Sequence, residues 1–168
     1  MATQKELDIV YLNMADCMGQ LSKATRAKVG CLIVNEKGKI ISQGYNGTPT
    51  GFDNCCEDVH CSCNETCAVS EQFDLTNCKK IVNGGPCKYL TLTTKKEVLH
   101  AESNAIAKCA KWGGSTDGAT LYVSLSPCFE CAKLIAQSGI KRVVYRTLYR
   151  DESGIELLKK LGVTVEKL

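Results

Sequence analysis

No stretch of this 168-residue chain is long and apolar enough to span a membrane, which takes about 20 consecutive residues. The amino-terminal Met1-Ala2-Thr3-Gln4-Lys5-Glu6 also lacks the apolar core and small-residue cleavage site of a secretory signal. The expectation is a cytoplasmic protein, in a compartment where thiols stay reduced. Long basic runs are missing too: 21 Lys and Arg stand against 18 Asp and Glu, for a formal charge of +3, and only 6% of residues are aromatic. A nucleic-acid groove usually has a larger basic excess and aromatic stacking platforms. Both shortages therefore point away from a polymer and toward a small anionic ligand. There is no internal repeat and no heptad pattern, which excludes solenoids and coiled coils.

What is abundant is cysteine. Twelve occur in a chain that is otherwise ordinary for a soluble globular protein, 44% hydrophobic and 23% charged, and large enough for one domain over residues 1–168. Cys17, Cys31 and Cys109 sit in apolar patterns and are expected to be small buried hydrophobes. Cys128 and Cys131 form a Cys-x-x-Cys pair, and the other seven crowd into a polar segment between Cys55 and Cys87. Where disulfides are not expected, a metal is the natural partner for both of these groups.

Leu7, Val10, Met14, Cys17, Met18 and Leu21 recur at helical spacing and predict an opening amphipathic helix. Val29–Val34 and Ile40–Tyr45 predict a hairpin across the turn Glu36-Lys37-Gly38-Lys39, ended by Asn46-Gly47. Residues 53–97, with Asn83-Gly84-Gly85-Pro86, lack periodicity and predict an insertion holding short elements at best. A helix follows from about His100 to Trp112, then a strand over 120–124. Ser126 as N-cap and Pro127 in the first turn predict the next helix, to Gln137. A strand over 142–145, a helix over 153–161 and a strand over 163–165 complete the chain. The order β-β-α-β-α-β-α-β predicts an α/β fold with helices on both faces of a mixed sheet.

Two helix starts carry the chemistry: His100-Ala101-Glu102, and Pro127-Cys128-Phe129-Glu130-Cys131. Cysteines three apart at a helix start share a face, and the helix N-terminus favours them as thiolates. With His100 they offer three zinc ligands, and the open fourth position marks a catalytic rather than a structural site. Zinc at such a site makes hydroxide available near neutral pH. Glu102, two residues from His100, is placed to shuttle protons instead of binding metal. A structural site would want a fourth protein ligand, which the cysteine-rich segment could supply. The pattern His-x-Glu with Pro-Cys-x-x-Cys is the known signature of zinc deaminases.

Thr25-Arg26-Ala27-Lys28-Val29-Gly30, Gly44-Tyr45-Asn46-Gly47, His100 to Ile106 and Ser126 to Lys133 together resemble the deoxycytidylate deaminase family, over residues 8–50 and 98–150. The resemblance implies a cytidine-deaminase-like three-layer α/β/α fold with a mixed five-stranded sheet. It implies hydrolysis of dCMP to dUMP and ammonia, supplying dUMP for thymidylate synthesis. By the same resemblance Asn46 meets sugar and base, Arg26 the 5′-phosphate, the Ala101 N–H the pyrimidine carbonyl, and Tyr149 lines the pocket. Gly44, Tyr45 and Gly47 resemble the element that senses dCTP and dTTP, with Mg2+ accompanying the effector, in a hexamer. Each of these positions also has a structural alternative: a turn asparagine, a solvated arginine, a packing tyrosine, a turn glycine. Some family members hold a second, structural zinc in the variable region. Here the spacings Cys55-Cys56, His60-Cys61, Cys63-x3-Cys67 and Cys78-x8-Cys87 match no standard zinc-finger pattern, so a second zinc and reduced free thiols both stay open. Three other classes share the zinc signature, of which a free-nucleoside cytidine deaminase conflicts with Arg26 and the Gly44-Tyr45-Asn46-Gly47 element. A tRNA adenosine or other nucleic-acid deaminase conflicts with the low aromatic content and modest charge. A non-catalytic zinc-bearing interaction module would have no need of Glu102.

Overall fold

In the computed structural model of the chain, which describes residues 2–61, 73–74, 79–80 and 90–168, the first element is a helix. Helix α1 (Gln4–Gly19) begins in a capping box: the Thr3 hydroxyl accepts from the Glu6 N–H at 3.3 Å, and the Glu6 carboxylate accepts from the Thr3 N–H at 2.7 Å. Its buried positions are Asp8, Leu12, Ala15 and Gly19. The apolar stripe that announced the helix lies on another face, with Leu7, Val10, Met14 and Leu21 exposed. Cys17 is exposed as well, against expectation. A buried charge explains the rotation. The Asp8 carboxylate accepts from the Tyr122 hydroxyl at 2.6 Å and from both terminal nitrogens of Arg142 at 2.8 and 2.7 Å, which turns this side of α1 to the sheet.

Five strands build the main sheet: β1 (Gly30–Val34), β2 (Ile40–Tyr45), β7 (Thr120–Leu125), β8 (Arg142–Thr147) and β9 (Thr164–Lys167), in the order β2-β1-β7-β8-β9. β1 pairs antiparallel with β2 and β7, whereas β7–β8 and β8–β9 are parallel, so the sheet is mixed as expected. Strand alternation sorts the core into two layers. Leu32, Val34, Tyr122 and Val144 point to one face and pack with Leu12 and Ala15 of α1. Cys31, Ile33, Leu121, Val123 and Val143 point to the other face. There they meet three helices, α2 (Ala101–Lys111), α3 (Phe129–Gln137) and α4 (Ser153–Lys160). Cys31 and Cys109 are buried, as expected.

Between β2 and α2, strand β3 (Glu57–Cys61) pairs antiparallel with β6 (Leu90–Thr94), placing Glu57 opposite Thr94. Two-residue strands β4 (Phe73–Asp74) and β5 (Lys79–Lys80) pair with each other. The side chains of His60 and Cys61, together with Cys63, Cys67, Cys78, Cys87 and Asn83-Gly84-Gly85-Pro86, lie outside the described residues. Helix α3 starts later than expected, with Cys128 at the N-cap instead of Ser126. The Ser126 hydroxyl is engaged elsewhere, accepting the Tyr149 N–H at 2.8 Å, and its own N–H donates to the Thr147 carbonyl. Ser126 thus prolongs the β7–β8 pairing by one residue before the chain turns into the helix. No helix among the described residues is long and apolar enough to cross a membrane.

Candidate active site

His100 is the N-cap of α2 and Cys128 the N-cap of α3, so two helix N-termini converge on one point. Cys131, one turn into α3, is buried beneath them. His100 Nδ1 lies 3.4 Å from the Cys128 sulfur and 3.4 Å from the Cys131 sulfur. Sulfur and nitrogen ligands around a tetrahedral zinc, with Zn–S about 2.3 Å and Zn–N about 2.0 Å, are held ~3.5 Å apart. The donor set therefore fits zinc in both chemistry and spacing. Among the described residues this is the one His/Cys/Asp/Glu cluster with such geometry, and Glu102 is not a member of it.

The protonation of the cluster agrees with a cation site. A hydrogen bond from Cys131 and the contact with His100 outweigh partial burial and hold the Cys128 thiol down at about 4. The same Cys128–Cys131 hydrogen bond, together with burial, pushes Cys131 far above the ordinary thiol range. The contact with Cys128 raises His100 against the opposing effect of burial. A metal ion at this point would bind the ligands in deprotonated form and displace the proton between the two thiols. Glu102 on α2 is 4% exposed. Burial pushes its carboxyl up to about 7, although its own backbone N–H and His100 pull the other way. A carboxyl in that range can both take and give a proton near neutrality.

Glu102, His100 and Cys128 face a cleft of about 210 Å3. Arg26, Asn46, Ala101 and Tyr149 line the same space. Residues separated by more than 120 positions in the chain are brought together here because β1, β2, α2 and β7 pack side by side.

Comparison with known proteins agrees with this geometry. The family model described as the cytidine and deoxycytidylate deaminase zinc-binding region matches residues 5–147. The deoxycytidylate deaminase of Enterobacteria phage T4 is 38% identical over 92% of this chain and 86% of its own length. That of Homo sapiens is 35% identical over 94% of this chain and 76% of its own length. The crystal structure of dCMP deaminase from the cyanophage S-TIM5 in complex with dCMP and dUMP is similar at a TM-score of 0.75, with 37% identity, covering 99% of this chain and 100% of that one.

The chain belongs to the cytidine and deoxycytidylate deaminase family. It is a zinc-dependent hydrolytic enzyme, and its fold is the α/β deaminase fold with a mixed five-stranded sheet. Of the deaminase residues expected from the sequence, all but Gly44 and Cys131 line one of two clefts. His100, Cys128, Glu102, Arg26, Asn46, Ala101 and Tyr149 line the first cleft, and Cys131 joins His100 and Cys128 in the donor cluster beside it. Tyr45 and Gly47 line a second cleft of about 320 Å3, along with Lys23, Lys108 and Lys111. Asn46 lines both. Gly44 lines neither. A Cβ there would collide with the Ala101 carbonyl and come within 2.7 Å of the Ala105 nitrogen, so glycine is what lets β2 lie directly against α2. The Asn46 amide is already part of the local frame: its oxygen accepts from the Val29 N–H at 2.8 Å and its nitrogen donates to the Ala27 carbonyl at 2.9 Å. Among the described residues, one amide hydrogen remains for a ligand.

Three polar residues of the cleft lining, Glu57, Thr94 and Ser126, were not among the site residues expected from the sequence. Glu57 and Thr94 stand opposite each other on β3 and β6, in the segment read as an insertion. The Thr94 hydroxyl accepts from Arg26 Nη1 at 3.0 Å. The alternating Leu90-Thr91-Leu92-Thr93-Thr94 was the available signal, a strand pattern masked by the surrounding cysteines.

Proposed function

We propose that this chain hydrolyses dCMP to dUMP and ammonia, with the product dUMP feeding thymidylate synthesis. One observation carries the reading. Glu102 and the His100, Cys128, Cys131 cluster share a single cleft with Arg26, as a substrate carrying a reactive base and an anionic end requires. The 37% identical dCMP deaminase that was solved with dCMP and dUMP supports it further.

Zinc held by His100, Cys128 and Cys131 would supply the Lewis acidity that makes a hydroxide nucleophile available. The remaining work falls to this chain's own residues. Glu102 takes the proton of the attacking water, passes it to the ring nitrogen, and later delivers a proton to the departing amine. The Ala101 N–H, on the first residue of α2, donates to the pyrimidine carbonyl. Arg26 pairs with the 5′-phosphate, with Thr94 steadying one of its nitrogens. The free amide hydrogen of Asn46 reaches the sugar, and Tyr149, its backbone fixed by Ser126, closes the pocket wall.

The second cleft supports regulation. Its lysines suit a triphosphate, so dCTP and dTTP with Mg2+ are the effectors we assign to Tyr45 and Gly47, with Gly44 acting through its packing on α2. The α1 stripe of Leu7, Val10, Met14 and Leu21 offers apolar surface for assembly, and a hexamer is the expected state. We take residues 1–168 as one cytoplasmic deaminase domain with an insertion at 53–97. Neither Cys55 nor Cys56 belongs to a donor cluster among the described residues.

The deciding experiment measures ammonia release from dCMP, deoxycytidine, cytosine and a tRNA anticodon stem, before and after zinc removal. Zinc-dependent release that is fastest from dCMP is expected. Equal or faster release from the tRNA stem would replace this reading with a nucleic-acid deaminase.

A further inference from the structure

One charged group in the cleft is only half used. Glu57 is 1% exposed, and its Oε1 accepts from the Thr25 N–H at 2.9 Å and the Arg26 N–H at 3.2 Å. Its Oε2 is buried and has no hydrogen-bond partner among the described residues. The residue nevertheless lines the cleft that holds His100, Glu102 and Arg26. A buried carboxylate oxygen left unpaired carries a desolvation cost, so its natural partner is a donor brought by a ligand.

The chemistry of the substrate narrows that donor to one group; this step rests on the dCMP reading above. A deoxycytidine nucleotide has two kinds of hydrogen-bond donor, the exocyclic amine and the 3′-hydroxyl. Its phosphate and its pyrimidine carbonyl only accept at neutral pH. The amine must lie at the Glu102 end, where it is lost. The phosphate belongs beside the Arg26 guanidinium, and against Oε2 it would meet like charge. Arg26 ties the two features together, because its backbone is held by Glu57 and its guanidinium by Thr94, directly across from Glu57. The deoxyribose bridges the two ends of the nucleotide, and its hydroxyl is the donor left over.

We propose that Glu57 is a specificity-determining residue whose Oε2 accepts a hydrogen bond from the 3′-hydroxyl of the substrate sugar. The test compares dCMP with 2′,3′-dideoxycytidine monophosphate, which lacks only that hydroxyl, in the wild type and in Glu57→Gln. Glutamine keeps an oxygen for the Thr25 and Arg26 N–H groups but presents an amide donor where Oε2 was. In the wild type, loss of a hydrogen bond to a charged group should lower kcat/KM for the dideoxy substrate by about 10- to 150-fold. Glu57→Gln should treat the two substrates nearly alike. A wild type that does not distinguish them overturns the proposal without any variant. So does a Glu57→Gln that slows both substrates equally and keeps the wild-type ratio, since a purely structural role would do this. If Glu57→Gln does not fold, Glu57→Asp, which retains the charge but withdraws it, should shrink the ratio, and an unchanged ratio overturns the proposal. An enzyme active on deoxycytidine but silent on dCMP would remove the nucleotide reading alone, because the same comparison can then be made on the nucleoside pair.

Discussion

Glu102 and Arg26 sit in one cleft, and substitution should separate the two roles proposed for them. Glu102 is a buried carboxyl whose pKa burial raises to about 7, two residues from a ligand yet outside the donor cluster. Glu102→Gln keeps its size and should leave zinc content unchanged while lowering kcat by at least about 10²–10⁴-fold, the usual contribution of general acid–base catalysis. Metal analysis beside single-turnover rates checks this, and near-normal turnover would exclude Glu102 as the proton carrier. Arg26 is exposed and reaches the cleft from a loop. Arg26→Ala should weaken kcat/KM for dCMP by about 10- to 150-fold relative to deoxycytidine, the range of a hydrogen bond to a charged group. Equal losses on both substrates would mean that the arginine shapes the loop and does not read the phosphate.

Among the elements, the contact between β2 and α2 matters most, because β2 ends at Tyr45, next to Asn46, and α2 begins after the His100 cap. The contact depends on Gly44 having no side chain. The Asn104 amide also donates to the Tyr45 carbonyl at 2.8 Å, and the Ser42 hydroxyl donates to the Ala105 carbonyl at 2.6 Å, so strand and helix are tied together at both ends of the contact. Gly44→Ala should cost about 1–3 kcal/mol, the usual penalty of overpacking, and should lower activity by pushing the start of α2 away from Cys128. Denaturant midpoints and zinc affinity would report it, and a variant with both unchanged would show that the interface has slack. Gly154 has a similar place behind α3, where a Cβ would come within 2.8 Å of Cys128 backbone atoms.

For the molecule as a whole, the buried Asp8–Arg142 pair makes stability depend on pH. Burial alone would raise the Asp8 pKa, but hydrogen bonds from Arg142, Tyr122 and Gln4 override it and hold the carboxyl at about 2. A free aspartate titrates near ~3.9. The folded pKa is the lower one, so the stabilisation is complete above the unfolded value and is lost as pH falls through the folded value. The stability advantage of the wild type over Asp8→Asn should shrink by about 2 kcal/mol between neutrality and pH ~2. Taking the difference between the two proteins cancels the zinc site, which also fails in acid. An advantage that does not change with pH would mean that Asp8 is not ionised in the folded protein. The two clefts make a second whole-molecule expectation, since Asn46 lines both. If dTTP weakens dCMP binding through that shared wall, dCMP must weaken dTTP binding by the same factor. Calorimetric titration of each ligand in the presence of the other measures both sides of the equality. A wild type that ignores dTTP would leave catalysis without this regulation.

The His100, Cys128, Cys131 cluster was legible from the sequence because it depends on residue type and on short spacing at two helix starts, information the local chain carries. The hairpin, the three later helices and the mixed sheet were legible for the same reason, each having its own periodicity and its own stop. What failed had partners far away. The apolar stripe of α1 was visible, but its orientation was not, because Asp8 is drawn to the sheet by Tyr122 and Arg142, more than 110 residues distant. The start of α3 shifted from Ser126 to Cys128 because the Ser126 hydroxyl is taken by Tyr149, 23 residues on. Glu57 and Thr94 entered the cleft only once β3 and β6 paired across the cysteine-rich segment. Short-range chemistry can be read from neighbours in the chain, whereas a buried charge chooses its partner in space, and only the tertiary structure decides which one it meets.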